Sequence, residues 1–338
     1  MDVHKELYNF CLDERIKSYK EIQKSPSCFD QITTNIPKFK NLTNTTSMRE
    51  TIRRLENAFQ SFFRRIKQGI KPGFPRFKKL LNSIDFVSGD GAKIKGKRLY
   101  VQHVGDIKII LHQELPKHSH IIVKHQKGQW FASFTIDAPI KTLFPSLKTI
   151  GLDFGLKTFI TTSDGDKINS PKYLKRSLQR IKKASSRRDK CEKGSSERKA
   201  KSKIVSNIFR KITNQRADFN HKLSQDIVSQ YGTIIIEDLD IKKLSSGDIK
   251  NINRTYADVS WAQFAQMLTY KAEHAGRNFI CVNPANTSKA CHKCGKLHDL
   301  TLDDRVIACE CGYANDRDVN AAKNILRLGL QSLELKNS

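Results

Sequence analysis

Apolar residues between Ser47 and Gly69 recur at steps of three and four, at Met48, Ile52, Leu55, Phe59, Phe62 and Ile66. That period predicts an amphipathic helix with one buried stripe. Ser47 with Glu50 three residues on reads as a capping box at its start, and Gly69 closes the run. Ahead of it, Leu7, Phe10 and Cys11 mark a shorter helical stripe, and the polar stretch 25–46 reads as a connection. From 84 to 136 the period falls to two. Short segments at 84–86, 99–101, 107–111, 121–123 and 130–136 predict a β unit, with Lys127-Gly128 as a hairpin turn. Their small size and even spacing favour a barrel or a compact sheet. A further strand pair is expected over 148–163, around Gly151-Leu152-Asp153-Phe154-Gly155.

The stretch 171–230 is helical by pattern, and Gly194-Ser195-Ser196 breaks it into a hairpin. In its second half Ile204, Ile208 and Ile212, with Val205 and Phe209, predict one face packed on the protein. Tyr231 through Glu237 is an apolar run ending on a carboxylate, the pattern of a buried parallel strand in an α/β sheet. A helix over 261–274, a short strand over 278–282 and a closing helix from Asp318 complete the order.

Charge narrows the function. The 338 residues carry 61 Lys and Arg against 34 Asp and Glu, a formal net charge of +27, which points to a large polyanion, nucleic acid first. No run approaches the roughly 18 apolar residues of a spanning helix, and the start, Met1-Asp2-Val3-His4-Lys5-Glu6, has no apolar signal core. The chain therefore reads as cytoplasmic, nucleoid-associated when on DNA, with no membrane partner. Two basic regions are candidate contacts. Arg64 and Arg65 lead into a segment where Arg76 and Lys78 alternate with Phe74 and Phe77, a texture that suits unpaired nucleotides as well as it suits a solvated helix face and a Pro-fixed turn. Lys175, Arg176, Arg180, Lys182, Lys183, Arg187 and Arg188 crowd the first half of the helical hairpin, where they could meet phosphate.

Cys291-x-x-Cys294 and Cys309-x-Cys311 stand fourteen residues apart, and a glycine follows each pair. Two tight thiolate pairs suit one tetrahedral Zn²⁺, and a closed four-cysteine site is structural because no position stays open for water. The second pair lacks one residue of the usual C-x-x-C, so strain is expected there, or His292 or His298 as a substitute ligand. Three carboxylates stand out by position: Asp153 inside a strand, Glu237 at the end of one, and Asp318 at the start of the last helix. Buried in apolar surroundings, each needs a cation or a metal, and three converging on one point would hold two Mg²⁺ for attack on phosphate. Three independent edge charges are the alternative.

Four motifs carry a resemblance: Gly151 through Lys157, Ile234 through Leu239, Thr287 through Gly295, and Asn315 through Ala322. Together they resemble the RuvC-type nuclease and zinc-ribbon signatures of TnpB (OrfB), a family of insertion-sequence transposons related to type V CRISPR effectors. Segments 57–65, 73–78, 214–219 and 261–273 look like family motifs as well, so the resemblance covers nearly the whole chain. It implies a multidomain α+β fold. An N-terminal helical recognition lobe (1–83) and a wedge-type β-barrel (84–143) precede an RNase H-like (RuvC) α/β nuclease domain (144–286) that includes the basic hairpin 171–230. An inserted zinc ribbon (287–313) and the last RuvC motif with the C-terminal helix (314–338) follow.

By motif, Asp153, Glu237 and Asp318 match the catalytic acids and ligands of two Mg²⁺, with Asp316 as the competitor for the third place. Cys291, Cys294, Cys309 and Cys311 match the ligands of one structural Zn²⁺. The implied activity is RNA-guided DNA cleavage, with a guide RNA from the transposon end and double-stranded target DNA beside a short adjacent motif. Members usually begin with one more wedge strand than this chain shows, which would leave a sheet edge unpaired and weaken guide or motif recognition. Competing functions are a guide-directed repressor that no longer cuts, against which the three acids speak, and a transposase or transposase-associated DNA-binding protein, for which no His-hydrophobe-His and tyrosine arrangement is present.

Overall fold

A computed structural model describes residues 1–39, 41–126, 128–137, 142–155, 158–238, 260–301 and 304–337. Lys127 of the expected turn, Leu156 and Lys157 of the first motif and Leu239 of the second lie outside them. Contacts divide the chain into two units, Met1–Ala138 and Pro139–Ser338.

The first unit opens with helices α1 (Asp2–Ile22), α2 (Cys28–Asn35) and α3 (Thr45–Lys67), with a 3-10 turn at Ile36–Phe39. Leu7, Tyr8, Cys11 and Leu12 of α1 share a core with Met48, Ile52, Leu55 and Phe59 of α3. The stretch expected as a connection holds α2. Ser27 caps it by accepting from the Asp30 amide, and the Asp30 carboxylate accepts from the Ser27 amide in return, a capping box that the polar composition around it obscures. The cap of α3 also departs from expectation. Asn44, not Ser47, is the N-cap; its Oδ1 accepts from the Ser47 amide at 2.8 Å, while its Nδ2 donates to Gln102 at 2.8 Å and Asp90 at 3.2 Å. Those long-range partners hold Asn44 in the capping geometry, and Glu50 pairs with Arg53 instead. Gly69, at φ 66°, ends α3 as expected.

Six antiparallel strands follow: β1 (Ser83–Val87), β2 (Ala92–Lys95), β3 (Arg98–Val101), β4 (Gly105–Lys108), β5 (His118–Gln126) and β6 (Gln129–Ile136). They pair as two three-stranded sheets, β1-β5-β6 and β2-β3-β4, over one core of Phe86, Ala92, Leu99, Val101 and Ile121. Among the described residues no strand pairing joins the two sheets into a closed barrel. Strands of four residues joined by two- and three-residue turns pair with their chain neighbours only. Strand β2, where Ala92 and Ile94 alternate with Lys93 and Lys95, lies outside the expected segments.

The second unit is a five-stranded sheet, order β11-β10-β7-β8-β9, built from β7 (Thr149–Phe154), β8 (Thr158–Thr162), β9 (Lys167–Asn169), β10 (Thr233–Glu237) and β11 (Asn278–Val282). Strands β7, β10 and β11 run parallel, while β8 and β9 are antiparallel. Between β9 and β10 lies the helical hairpin, α4 (Tyr173–Asp189) and α5 (Ser196–Gln230), and Ser195 caps α5. Of the expected apolar face of α5, Val205, Ile208 and Ile212 are buried, but Ile204 and Phe209 are 54% and 42% exposed. Helix α6 (Trp261–His274) and α7 (Arg317–Asn337) cover opposite faces of the sheet. Ile150, Leu152, Ile234 and Ile236 pack toward α5 and α6, whereas Ile235 meets Ile325 of α7. Gly151 lets α7 come close: a Cβ there would sit 2.3 Å from the Ala322 carbonyl oxygen. A small hairpin, β12 (Val306–Ala308) with β13 (Ala314–Asp316), precedes α7. Among the described residues no helix is long and apolar enough to cross a membrane.

Candidate active site and metal centre

Strands β7 and β10 pair in parallel with Gly151 opposite Ile235 and Leu152 opposite Ile236, so Asp153 and Glu237 come next to each other at the strands' carboxyl ends. Alternation puts both on the face of Gly151 and Ile235, which is the face α7 covers. Asp318 stands in the first turn of that helix. Sheet register and one helix start thus bring the three sequence-predicted acids toward one point.

Their charges register at Asp153. Burial raises its carboxyl, Glu237 and then Asp318 raise it further against the opposing Arg317 guanidinium, and it is pushed up to about 8. Glu237 is 8% exposed, and burial raises it too, offset by a hydrogen bond from the Thr287 hydroxyl. The three carboxylates do not close into a preformed cage of the kind the cysteines make. Asp316 has other partners: one oxygen accepts from the amides of Asp318 at 3.0 Å and Val319 at 3.2 Å, and the other takes Lys167 Nζ at 2.6 Å. It caps α7 and pairs with β9, which accounts for a carboxyl held low despite its burial. Asp318 also presses on Asp153 more than Asp316 does.

A testable consequence is pH-dependent stability. A folded-state pKa of about 8 on a group near 4 when unfolded means that the native state binds the extra proton between those values. This contribution is complete below about pH 4 and is lost as pH rises through 8, at no more than about 1.4 kcal/mol per pH unit. Zinc-loaded protein free of Mg²⁺ should therefore lose melting temperature between pH 5 and 8 more steeply than Asp153→Asn, and added Mg²⁺ should flatten the wild-type profile. Parallel slopes in thermal melts of the two proteins would show that the acids are not coupled.

The four cysteines gather, with all sulfurs within 4.8 Å of one another. Cys291 Sγ lies 3.7 Å from Cys311 Sγ, and Cys294 Sγ lies 3.5 Å from Cys309 Sγ. Tetrahedral Zn–S bonds of about 2.3 Å place sulfurs about 3.8 Å apart, so the set fits the ion. Burial raises the Cys291 thiol, but the amides of Cys294 and Lys293 outweigh it and bring it down to about 7. Glycines at φ 79° (Gly295) and φ 81° (Gly312) make both turns. The shortened second pair joins the cluster without help: neither His292 nor His298 belongs to it.

Three side chains of α7 at helical spacing tie this loop down. Asn320 Nδ2 donates to the Ala290 carbonyl at 2.8 Å while its Oδ1 accepts from the His292 amide at 2.9 Å. Asn324 donates to the carbonyls of Ala290 at 2.7 Å and Thr287 at 2.9 Å, and Arg327 to that of His292 at 3.1 Å. Sequence reading did not single out these roles, nor that of Lys167. The Asn320–Asn324 spacing was the available signal, a polar pair on an otherwise buried helix face.

The basic candidates lie in both units. Arg64 and Arg65 end α3, Arg76 and Lys78 follow it, and all four are exposed. Asn9 clamps the Lys78 backbone from both sides, at 2.9 and 2.7 Å, so this segment is docked on α1. Phe74 meets Phe59 and Phe62 edge-on, at 5.6 and 5.4 Å, and is still 49% exposed. In the other unit Lys175, Arg176, Arg180, Lys182, Lys183 and Arg187 are exposed on α4, and Arg176, Arg180, Lys183 and Arg187 fall on one stripe. Arg188 differs, since its guanidinium forks onto Asp189 at 2.9 and 3.1 Å.

Residues 123–247 match the family described as "Probable transposase" (OrfB), and residues 261–325 match the family "Cas12f1-like, TNB domain". A Streptomyces pristinaespiralis protein provisionally named an RNA-guided DNA endonuclease is 29% identical over 339 residues, spanning 96% of this chain and 83% of its own length. Escherichia coli K12 InsQ, provisionally named in the same way, is 27% identical over 304 residues, spanning 83% of this chain and 74% of its own. In fold, the chain resembles one in the cryo-EM structure of a Cas12f1–sgRNA–target DNA complex, with a TM-score of 0.61 and 17% identity over 96% of this chain and 80% of that one. With its motifs and its fold in agreement, the chain belongs to the TnpB (OrfB) family of insertion-sequence transposons.

Proposed function

We propose that the chain is the RNA-guided DNA endonuclease of a transposon, hydrolysing target phosphodiesters at Asp153, Glu237 and Asp318. The observation that carries this reading is the parallel register that sets Asp153 beside Glu237 at the strands' carboxyl ends, with Asp318 in the first turn of the helix on that face, so that the acids press on one another and a bound proton or cation relieves them. Mg²⁺ is the expected divalent ion, and it would supply Lewis acidity toward the scissile phosphate. Asp153 and Glu237 are held on rigid strands, and Asp318 is aimed by a helix that Asp316 caps. Cys291, Cys294, Cys309 and Cys311 would hold a structural Zn²⁺, since a closed four-thiolate set offers no place for substrate.

The names of the relatives support the polynucleotide partners, and the net charge of +27 supplies the affinity. Guide RNA from the transposon end would select the DNA by base pairing, leaving the protein to read a short adjacent motif. The exposed stripes on α4 and at the end of α3 are the proposed phosphate contacts. The finer division is proposed to follow function: a helical lobe (1–83), a wedge (84–143), the nuclease sheet with its hairpin (144–286), the zinc ribbon (287–313) and the closing helix (314–338).

Expression with the DNA flanking the gene, followed by sequencing of co-purified RNA, tests the reading. One discrete RNA ending at the element boundary is expected, and it should direct Mg²⁺-dependent cleavage of matched DNA. Heterogeneous host RNA, with no cleavage by any boundary transcript, would overturn it.

A further inference from the structure

The buried Glu237 has a partner that the acid triad leaves out. Thr287, 4% exposed, lies in the segment between β11 and the first cysteine pair. Its hydroxyl donates to Glu237 Oε1, in a contact shorter than that to its alternative acceptor, the Pro284 carbonyl at 3.1 Å. Its own carbonyl accepts from Asn324 of α7, and Asn324 also holds Ala290, the residue before Cys291. One residue therefore touches the strand acid, the helix that carries Asp318 and the segment that opens the cysteine loop.

We infer that Thr287 is a positioning residue for the acid centre, orienting Glu237 with its hydroxyl and fixing it to the Asp318 helix through its backbone. The inference rests on the proposed function and adds a part to it. Glu237 ends its strand, and its side chain needs an orienting donor to present a carboxylate oxygen toward Asp153. A hydrogen bond donated to Oε1 also stabilises the carboxylate form that a cation needs. Outer partners of this kind typically change metal affinity or activity by about 10- to 100-fold when removed.

Thr287→Val keeps the branched shape and removes the O–H, whereas Thr287→Ser keeps the O–H. In guided cleavage, Thr287→Val is expected to raise the half-saturating Mg²⁺ concentration about 10- to 100-fold, with much of the rate recovered at high Mg²⁺. Thr287→Ser should stay within about threefold of wild type, as second-shell rescue requires. Both should keep one zinc per chain and unchanged target affinity. A second readout is independent of cleavage: Mn²⁺ binding to full-length, zinc-loaded protein free of RNA, followed by electron paramagnetic resonance, with Asp153→Asn as the baseline. Weaker Mn²⁺ binding in Thr287→Val but not Thr287→Ser supports the role even if the wild type cuts nothing, and then only the nuclease reading falls. Equal Mg²⁺ and Mn²⁺ dependence of Thr287→Val and wild type overturns the role while leaving the nuclease reading intact. Equal losses of zinc or folding in both variants overturn it too, since they would mark Thr287 as structural only.

Discussion

Asp153→Asn is expected to slow single-turnover target cleavage by on the order of 10³-fold or more, while guide-dependent DNA binding stays within about twofold. Asparagine keeps the shape of the side chain and removes the charge that a cation would need. It also removes the repulsion from Glu237 and Asp318, so the variant should fold at least as well as the wild type above neutral pH. Glu237→Gln should cost a similar factor while its amide oxygen can still accept from Thr287. Asp316→Asn is the informative contrast. Asparagine caps helices about as well as aspartate, so what is lost is the ion pair with Lys167 on a half-exposed surface, worth about 0–1 kcal/mol, and cleavage should fall far less than in Asp318→Asn. Cleavage above a tenth of wild type in both Asp153→Asn and Glu237→Gln would remove the acid assignment. A wild type that binds guided DNA and never cuts would favour the repressor reading.

The acid centre was legible because two simple periods coincide in it. Asp153 and Glu237 each stand two residues past the residue that faces α7, Gly151 on β7 and Ile235 on β10, and parallel pairing at equal height makes them neighbours. The cysteine loop was legible for a similar reason, since spacing alone brings thiolates together. Side-chain hydrogen bonds across long separations were not. Asn44 outcompetes Ser47 as the α3 cap through Gln102, 58 residues away, and Thr287 reaches Glu237 across 50 residues. Neither partner has a period or a composition to announce it. The helix α2 was missed although its Ser27-x-x-Asp30 signal is local, because its apolar face is short, made of Cys28, Ile32 and the following Ile36. The two-sheet pairing of the β unit depends on which short strands find each other, which alternation does not encode.

Removing the zinc should disable the acids from a distance. Cys291 is fully buried, and the loop's own core is small: Cys291, Ile307 and Cys309, with Leu300, Cys311 and Tyr313 against them. So few apolar contacts cannot order the loop unaided, whereas a structural four-ligand Zn²⁺ contributes on the order of 10–16 kcal/mol to folding its ligands. Without the ion nothing holds the four cysteines together, and as the loop opens Asn320 and Arg327 on α7 lose the carbonyls of Ala290 and His292, while Asn324 keeps only that of Thr287. Cys291→Ser, or a chelator that strips one zinc per chain, should expose the loop to proteolysis between 292 and 308. It should also cut cleavage by about 10- to 100-fold or more. Cys281→Ser, at an exposed cysteine outside the cluster, should do neither. The core of the sheet, built from Ile150, Leu152, Ile234 and Ile236 against α5 and α6, lies on the opposite face and should keep its amide protection in hydrogen exchange. Protection lost across β7 and β10 as well would mean that the metal holds the whole unit. Zinc loss with cleavage unchanged would uncouple the loop from the acids and leave the Asn320 and Asn324 bonds with a packing role alone.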